Sequence, residues 1–282
     1  MDTNIIYCGD NLEVLAKFPE KSVDLIYADP PFFSNKQYEI IWGNGAEMKV
    51  YEDRWKGGIN VYIEWMKERL WQCYRVLKDT GSMYLHCDWH ATHRLRVAMD
   101  DIFGEDNFRN EIIWRIGWVS GYKTQKKGWI RNHDTILYYA KSNKFTFNKI
   151  LIPYPPGYRR RDGSLPKGQG IPIEDTWNCH EVDKLDSIMI MSFSKEKAGY
   201  PTQKPEALLK RIIEASSNKD DIVLDPFCGC GTTLVVAHQL GRKWIGVDVL
   251  PIACNLMRDR LSKVGVSDVR IIGAPKTEVS CV

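Results

Sequence analysis

Ile222-Val223-Leu224-Asp225-Pro226-Phe227-Cys228-Gly229-Cys230-Gly231-Thr232-Thr233 is the stretch that decides the fold. It opens as a short apolar strand, passes through a loop with two glycines, and ends where a helix can start. Glycine tolerates backbone geometries and close approaches that a Cβ would forbid, and a helix start presents free N–H groups. Further along, Trp244-Ile245-Gly246-Val247-Asp248 ends a second strand on a carboxylate. An acid at that distance suits ribose hydroxyls in a nucleotide-binding α/β fold. The loop has neither the Gly-x-Gly-x-x-Gly pattern nor a following lysine, which argues against a dinucleotide or a triphosphate. Cys228 and Cys230 stand too close for the usual zinc spacings.

Upstream, Val23 to Ala28 is apolar apart from Asp24, and it runs into Asp29-Pro30-Pro31-Phe32. Proline fixes φ and lacks an N–H, and the residue before it is pushed to extended geometry. Asp29 is therefore held extended just past a strand end, where parallel sheets bind their ligands. Taken alone, the run reads equally well as a surface turn.

Other apolar runs are expected to be buried strands: Ile5 to Tyr7, Met83 to Leu85, Glu111 to Ile116, Thr135 to Tyr139, and a final short one within Val269 to Gly273. Ile63, Met66, Leu70, Tyr74 and Leu77 recur at helical spacing. So do Leu208, Leu209, Ile212 and Ile213 after Pro205, and two later helices span Leu234 to Leu240 and Ile252 to Leu261. Alternating strands and helices predict a mostly parallel sheet covered on both faces. The segment from Arg115 to Gly170 carries twelve Lys or Arg against two Asp in a chain of net charge +3. That asymmetry points to a polyanionic partner. The proline- and glycine-rich stretch 141–197 breaks the rhythm and is expected to be an irregular basic insertion. It separates a first half, 1–140, from a second, 198–282. No run is long and apolar enough to span a membrane, the start Met1 to Asp10 lacks the pattern of a secretory signal, and the cysteines do not form a disulfide framework. A cytoplasmic setting is the expectation.

These motifs, in this order, resemble the β class of S-adenosylmethionine-dependent amino DNA methyltransferases, in which the catalytic motif precedes the cofactor loop. Asp29-Pro30-Pro31-Phe32 is similar to the family's catalytic motif and Asp225 to Thr233 to its cofactor motif. Thr202-Gln203-Lys204-Pro205 and Gly9-Asp10 are similar to two flanking motifs. The resemblance implies a circularly permuted, Rossmann-like α/β fold with a seven-stranded sheet. It implies transfer of a methyl group from S-adenosylmethionine to the N6 amine of an adenine flipped out of double-stranded DNA. Asp29, Pro30, Pro31 and Phe32 are then the catalytic group. Asp10, Lys204, Asp225, Phe227, Gly229, Gly231, Thr232 and Asp248 are the cofactor group, with Asp10 on the cofactor's adenine, Asp248 on its ribose, and Lys204 or the backbone near it by the methionine carboxylate. Asp10 reads alternatively as a helix cap, and Lys204 as a solvated side chain. Cys230 stands where the family often has serine, a change of little expected effect. Some resembling proteins continue beyond residue 273.

For DNA contacts the basic segment offers Lys126, Lys127, Trp129, Arg159, Arg160 and Arg161. One of the three arginines is a candidate guanine reader, and the others read as solvated charge. Neutralising about six phosphates would give a log–log salt slope of roughly −5. His86, Cys87, Asp88, His90 and His93 invite a metal reading, but at a strand end and a first helical turn they read as solvated or hydrogen-bonded groups, and no metal is expected. Asp rather than Ser before the two prolines favours adenine N6 over cytosine N4. An RNA methyltransferase and a catalytically silent DNA-binding module are the remaining alternatives. The resemblance leaves a homodimer and a partner restriction nuclease open.

Overall fold

The computed structural model describes residues 1–34, 37–41, 47–53, 55–117, 125, 127–179, 200 and 202–273. In chain order the first half holds β1 (Ile5–Cys8), α1 (Asn11–Leu15), β2 (Val23–Ala28), a hairpin of β3 (Gln37–Ile41) and β4 (Glu47–Glu52), α2 (Ile59–Val76), β5 (Leu77–Cys87), α3 (Thr92–Phe103), a 3₁₀ turn at Glu105–Asn107, β6 (Phe108–Arg115) and β7 (His133–Ala140). There follow β8 (Leu151–Ile152), β9 (Ile171–Pro172), β10 (Thr176–Trp177), α4 (Glu206–Ser216), β11 (Ile222–Asp225), α5 (Thr232–Gln239), β12 (Lys243–Asp248), α6 (Pro251–Lys263) and β13 (Arg270–Ile272).

One sheet runs in the order β10-β6-β7-β5-β2-β11-β12-β1-β13. The seven strands expected at its heart are present. Among the described residues the sheet has nine strands rather than seven, because the short β10 and β13 add to its edges. Thr176 and Trp177 pair with Ile113 and Trp114, so part of the proline-rich stretch joins the main sheet. Among the described residues, the pairings within this sheet are parallel except those of β7 with β5 and β6.

Side chains alternate across a strand, and β2 shows what this does. Leu25 and Tyr27 enter a core layer with Leu209, Leu234, Trp244 and Met257, under α4, α5 and α6. Ile26 and Ala28 enter the opposite layer with Met66, Leu70, Met99 and Leu224, under α2 and α3. The buried face of α2, with Ile63, Met66, Leu70 and Cys73, follows the three- and four-residue spacing of its apolar positions. Pro251 opens α6 at its first turn, where a missing N–H costs nothing.

The pairing of β2 with β11 matters most for the site. Val223 and Leu224 lie opposite Leu25 and Ile26, and from this pair the chain winds outward both ways, through β5 on one side and β12 on the other. That is the topological switch point of an open α/β sheet, where a crevice forms beyond the strand ends.

Candidate active site

Asp29-Pro30-Pro31-Phe32 leaves β2 and Pro226-Phe227 leaves β11 side by side, at the same end of neighbouring strands. Two segments separated by about two hundred residues thus share one crevice. Asn11, in α1, anchors the second of them by donating its side-chain amide to the Pro226 carbonyl at 2.8 Å. The loop after Asp29 is pinned from below. Tyr62 donates its hydroxyl to the Pro31 carbonyl at 2.7 Å. The fully buried Asp53 accepts the N–H of Phe33 at 3.0 Å, the N–H of Ser34 at 2.5 Å and the indole N–H of Trp55 at 3.1 Å. Phe33 takes φ +59° there, a left-handed geometry uncommon for a bulky residue.

Lys204 donates to Asp29 Oδ2 at 2.5 Å and lies 5.4 Å from the centre of the Phe32 ring. Expected from sequence beside the cofactor, Lys204 here pairs with the Asp29 carboxylate, across 175 residues of chain. His86, at the end of β5, puts Nδ1 3.3 Å from Asp29 Oδ1, and its ring 5.2 Å from that of Phe32. Burial pushes the Asp29 carboxyl up, but Lys204 and His86 outweigh it and hold the group below the usual carboxylate range. Asp29 is therefore an anion aimed into the crevice, beside a ring that a flat ligand can stack on.

The glycine loop is shaped mainly from within. Gly231 takes φ +77°, and a Cβ there would stand 2.6 Å from Met257 Cγ. Gly229 takes φ +52°, and a Cβ would meet Tyr200 at 3.3 Å. Packing and positive φ thus favour glycine at both positions, most strongly at 231. Asp225 accepts from Phe227 N at 3.0 Å and from the Thr233 hydroxyl at 2.5 Å. Burial, partly opposed by these bonds, pushes its carboxyl up to about 7. Thr232 turns inward, accepting from Arg260 at 3.0 Å, and the same guanidinium reaches the Cys230 carbonyl at 2.9 Å and Sγ at 3.2 Å. Asp225 and Thr232, both expected to line the cofactor, are buried struts of the loop.

Asp248 accepts from Gly229 N at 2.8 Å and Leu250 N at 2.9 Å, and burial pushes it up to about 6. It stays partly accessible, and β12 runs beside β1, with Asp248 opposite Cys8. Asp10 follows two residues on. It caps α1 by accepting Leu12 N at 2.8 Å, so the cap reading holds, and both its oxygens receive Arg69 Nη2 at 2.8–2.9 Å. Its side chain is nevertheless 39% exposed. Arg69 lies 3.8 Å over the Trp65 ring, and Trp65 packs on Phe227 at 6.0 Å. Asp10, Phe227 and Asp248 therefore form a two-carboxylate, one-ring wall at the ends of β1, β11 and β12. Its two acceptor carboxylates fit a nucleoside that donates from two hydroxyls and an amine.

The residues expected at DNA lie elsewhere. Arg159, Arg160 and Arg161 are exposed on a turn closed by the Gly163 N–H to the Arg160 carbonyl at 2.9 Å. Lys127 is exposed, Trp129 is 98% exposed, and Lys126 lies outside the described residues. Trp129 stands shortly before β7, which begins at the catalytic end of the sheet. Trp89, not singled out in the sequence, is exposed at that same end, with its ring tilted against that of His90 at 4.0 Å. His90 bonds Asp88 at 2.8 Å, and among the described residues no group of three or more His, Cys, Asp or Glu could hold a metal ion. Sequence reasoning missed Asp53, Tyr62, Arg69 and Arg260 as supports. Only the burial of two arginines and one acid marks them, and that is visible in three dimensions alone.

The profile of the DNA methylases (N6_N4_Mtase) matches residues 23–259, spanning both motifs. The chain belongs to that family. It is 33% identical to the DNA adenine methyltransferase YhdJ of Escherichia coli K12, over 93% of this chain and 88% of that one. It is 32% identical to the type II methyltransferase M.HpaI of Haemophilus parainfluenzae, over 93% and 74%. Among solved structures the fold is similar to PvuII DNA methyltransferase (cytosine-N4-specific), with TM-score 0.62, 18% identity and coverage of 96% and 95%. It is also similar to the M1.HpyAVI–SAM complex, with TM-score 0.55, 20% identity and coverage of 91% and 98%.

Proposed function

We propose that the chain methylates the N6 amine of adenine in double-stranded DNA, using S-adenosylmethionine bound at the wall of Asp10, Phe227 and Asp248 with the backbone of the Gly229–Gly231 loop. The carrying observation is the Asp29 carboxylate, kept anionic at the mouth of the crevice next to that wall. The adenine amine is a poor nucleophile because its lone pair is delocalised into the ring. Asp29 and the Pro30 carbonyl accept its two N–H groups and draw the nitrogen towards a tetrahedral form, a preorganised electrostatic effect. Asp29 is placed to take the proton that the amine sheds. The cofactor, when bound, supplies an already activated sulfonium methyl. Extruding the base takes a few kcal/mol, and a stack on Phe32 returns about 1–3 kcal/mol.

Adenine over cytosine is supported by Asp29 and by the similarity to YhdJ, a DNA adenine methyltransferase. The type II name of M.HpaI supports a restriction–modification setting with a partner nuclease. The exposed arginine turn, with Lys127 and Trp129, is the proposed DNA-facing part, and the stretch 141–197 that holds the turn is proposed as the insertion between two half-domains. A homodimer belongs to the same reading, to be read by sedimentation. Among the described residues no helix is long and apolar enough to cross a membrane, and a cytoplasmic location is part of the proposal. The test treats mixed-sequence DNA with protein and cofactor, then maps methylated bases by single-molecule sequencing. Methyl marks on adenine N6 at one short motif are expected, with Asp29→Ala silent yet still binding cofactor in calorimetry. Marks on cytosine, or an active Asp29→Ala, would overturn it.

A further inference from the structure

His86 belongs to the histidine cluster that the sequence left without a role. It is fully buried. Nδ1 has two neighbours, the Tyr27 hydroxyl at 3.1 Å and Asp29 Oδ1 at 3.3 Å. Nε2 faces Asp134 Oδ2 at 3.7 Å, and Arg131 in turn pairs with Asp134 at 2.8 Å. The Trp114 ring lies 5.6 Å away, and Lys204 reaches the other oxygen of Asp29. β2, β5, β6, β7 and the segment before α4 therefore all meet at this ring. Among the described residues, Asp29 Oδ1 and His86 Nε2 are buried without a hydrogen bond. A buried, nearly bonded row of Asp134, His86 and Asp29 is an expensive arrangement in a core, where polar groups otherwise find partners.

The Asp29 carboxylate needs a second anchor. Torsion about the last bond of an aspartate is soft and roughly two-fold. A lysine ammonium, a compact charge on a flexible stem, fixes one oxygen but not the plane of the group. We propose that His86 is a positioning residue for methyl transfer: its ring, backed by Asp134, sets the plane of the Asp29 carboxylate so that one orientation meets the target amine. This rests on Asp29 being the acceptor of that amine.

Protonation selects the partner of Nδ1. The imidazolium donates from Nδ1 to Asp29, whereas neutral Nδ1 accepts the Tyr27 hydroxyl and releases Asp29. Burial pulls the His86 pKa down, but Asp29 and Asp134 outweigh it and raise it above the ordinary value. The held state therefore persists to higher pH than an ordinary imidazolium would and is lost as pH rises.

The test compares wild type with His86→Gln, Asp134→Asn and Asp29→Asn over pH 6–10, measuring kcat, KM for DNA and cofactor affinity by calorimetry. Wild-type kcat is expected to fall on the alkaline side. His86→Gln is expected to lose ten- to a hundredfold in kcat, keep KM and cofactor affinity within threefold, and lose that alkaline limb. Asp134→Asn, with one carboxylate fewer beside the ring, is expected to move the limb roughly one unit to lower pH. His86→Gln with wild-type kcat, or a limb that stays in place in Asp134→Asn, overturns the proposal. Should His86→Gln not fold, the Asp134→Asn profile decides alone. Full activity in Asp29→Asn overturns the functional reading itself, while an inactive Asp29→Asn beside an unaffected His86→Gln overturns only the positioning role.

Discussion

Asp225 should make the protein less stable as pH rises, and Asp225→Asn should remove that dependence. Burial pushes the carboxyl from 3.8, its ordinary value, up to about 7. Below 3.8 the group is protonated in both folded and unfolded chains. Between 3.8 and 7 the unfolded chain sheds its proton while the folded one keeps it, so stability falls with pH. Above 7 both forms are ionised and the loss is complete. Each pKa unit is 1.36 kcal/mol, which puts the loss between pH 5 and pH 8 at about 3 kcal/mol. Asn has nearly the same shape and keeps an acceptor for Phe227 N, with the Thr233 hydroxyl free to rotate and pair with its amide. Asp248, also pushed up to about 6, titrates in both proteins and cancels in the difference. Urea unfolding of wild type and Asp225→Asn at pH 5, 6, 7 and 8 reads this directly. The variant is expected to gain on wild type steadily across that range. A difference that stays flat within about 0.5 kcal/mol would refute the burial argument, since that argument predicts several times as much.

Gly231→Ala combines a φ of +77° with a 2.6 Å approach to Met257. About 1–2 kcal/mol for the left-handed geometry and 1–3 for overpacking predict a lower urea midpoint at unchanged slope. In a double-mutant cycle with Met257→Ala, only the packing part should appear as a coupling term. Lys204→Met takes a cation from Asp29, so the Asp29 pKa rises and the acid limb of kcat/KM should move to higher pH; an unmoved limb would detach Lys204 from the carboxylate. Replacing Arg159, Arg160 and Arg161 together by alanine should make the log–log salt slope of DNA binding shallower by up to about 2.7, and no change would remove that turn from the phosphate contacts.

Much of this architecture is legible along the chain because it is local. The seven central strands and α2, α4, α5 and α6 are written as apolar periodicity, and both motif loops as proline and glycine placement. The hairpin of β3 and β4 and the two-residue strands β8, β9 and β10 carry no such period. Their pairing depends on what lies next to them. The site divides the same way. Asp29 and Phe32 could be found from their own neighbours, whereas the support of Asp29 could not. His86 lies 57 residues and Lys204 175 residues away, and neither has a local pattern naming its partner. The glycine loop is legible as a loop, whereas the bonds that brace it from within are not. Asp225 and Thr232 look outward-facing in a motif and prove to be turned towards Thr233 and Arg260. Asp10 was open between cap and ligand because one carboxylate can serve as both.

The seam between β2 and β11 has a consequence for how the protein is made. Asp24 accepts the N–H of Ile222 at 2.9 Å across 198 residues of sequence, so one flank of β2 waits for a strand near the end of the chain. At roughly 5–20 residues per second on the ribosome, that flank stays uncovered for about 10–40 s. An open strand edge invites pairing with other chains, and the nascent protein is most in need of a chaperone during that interval.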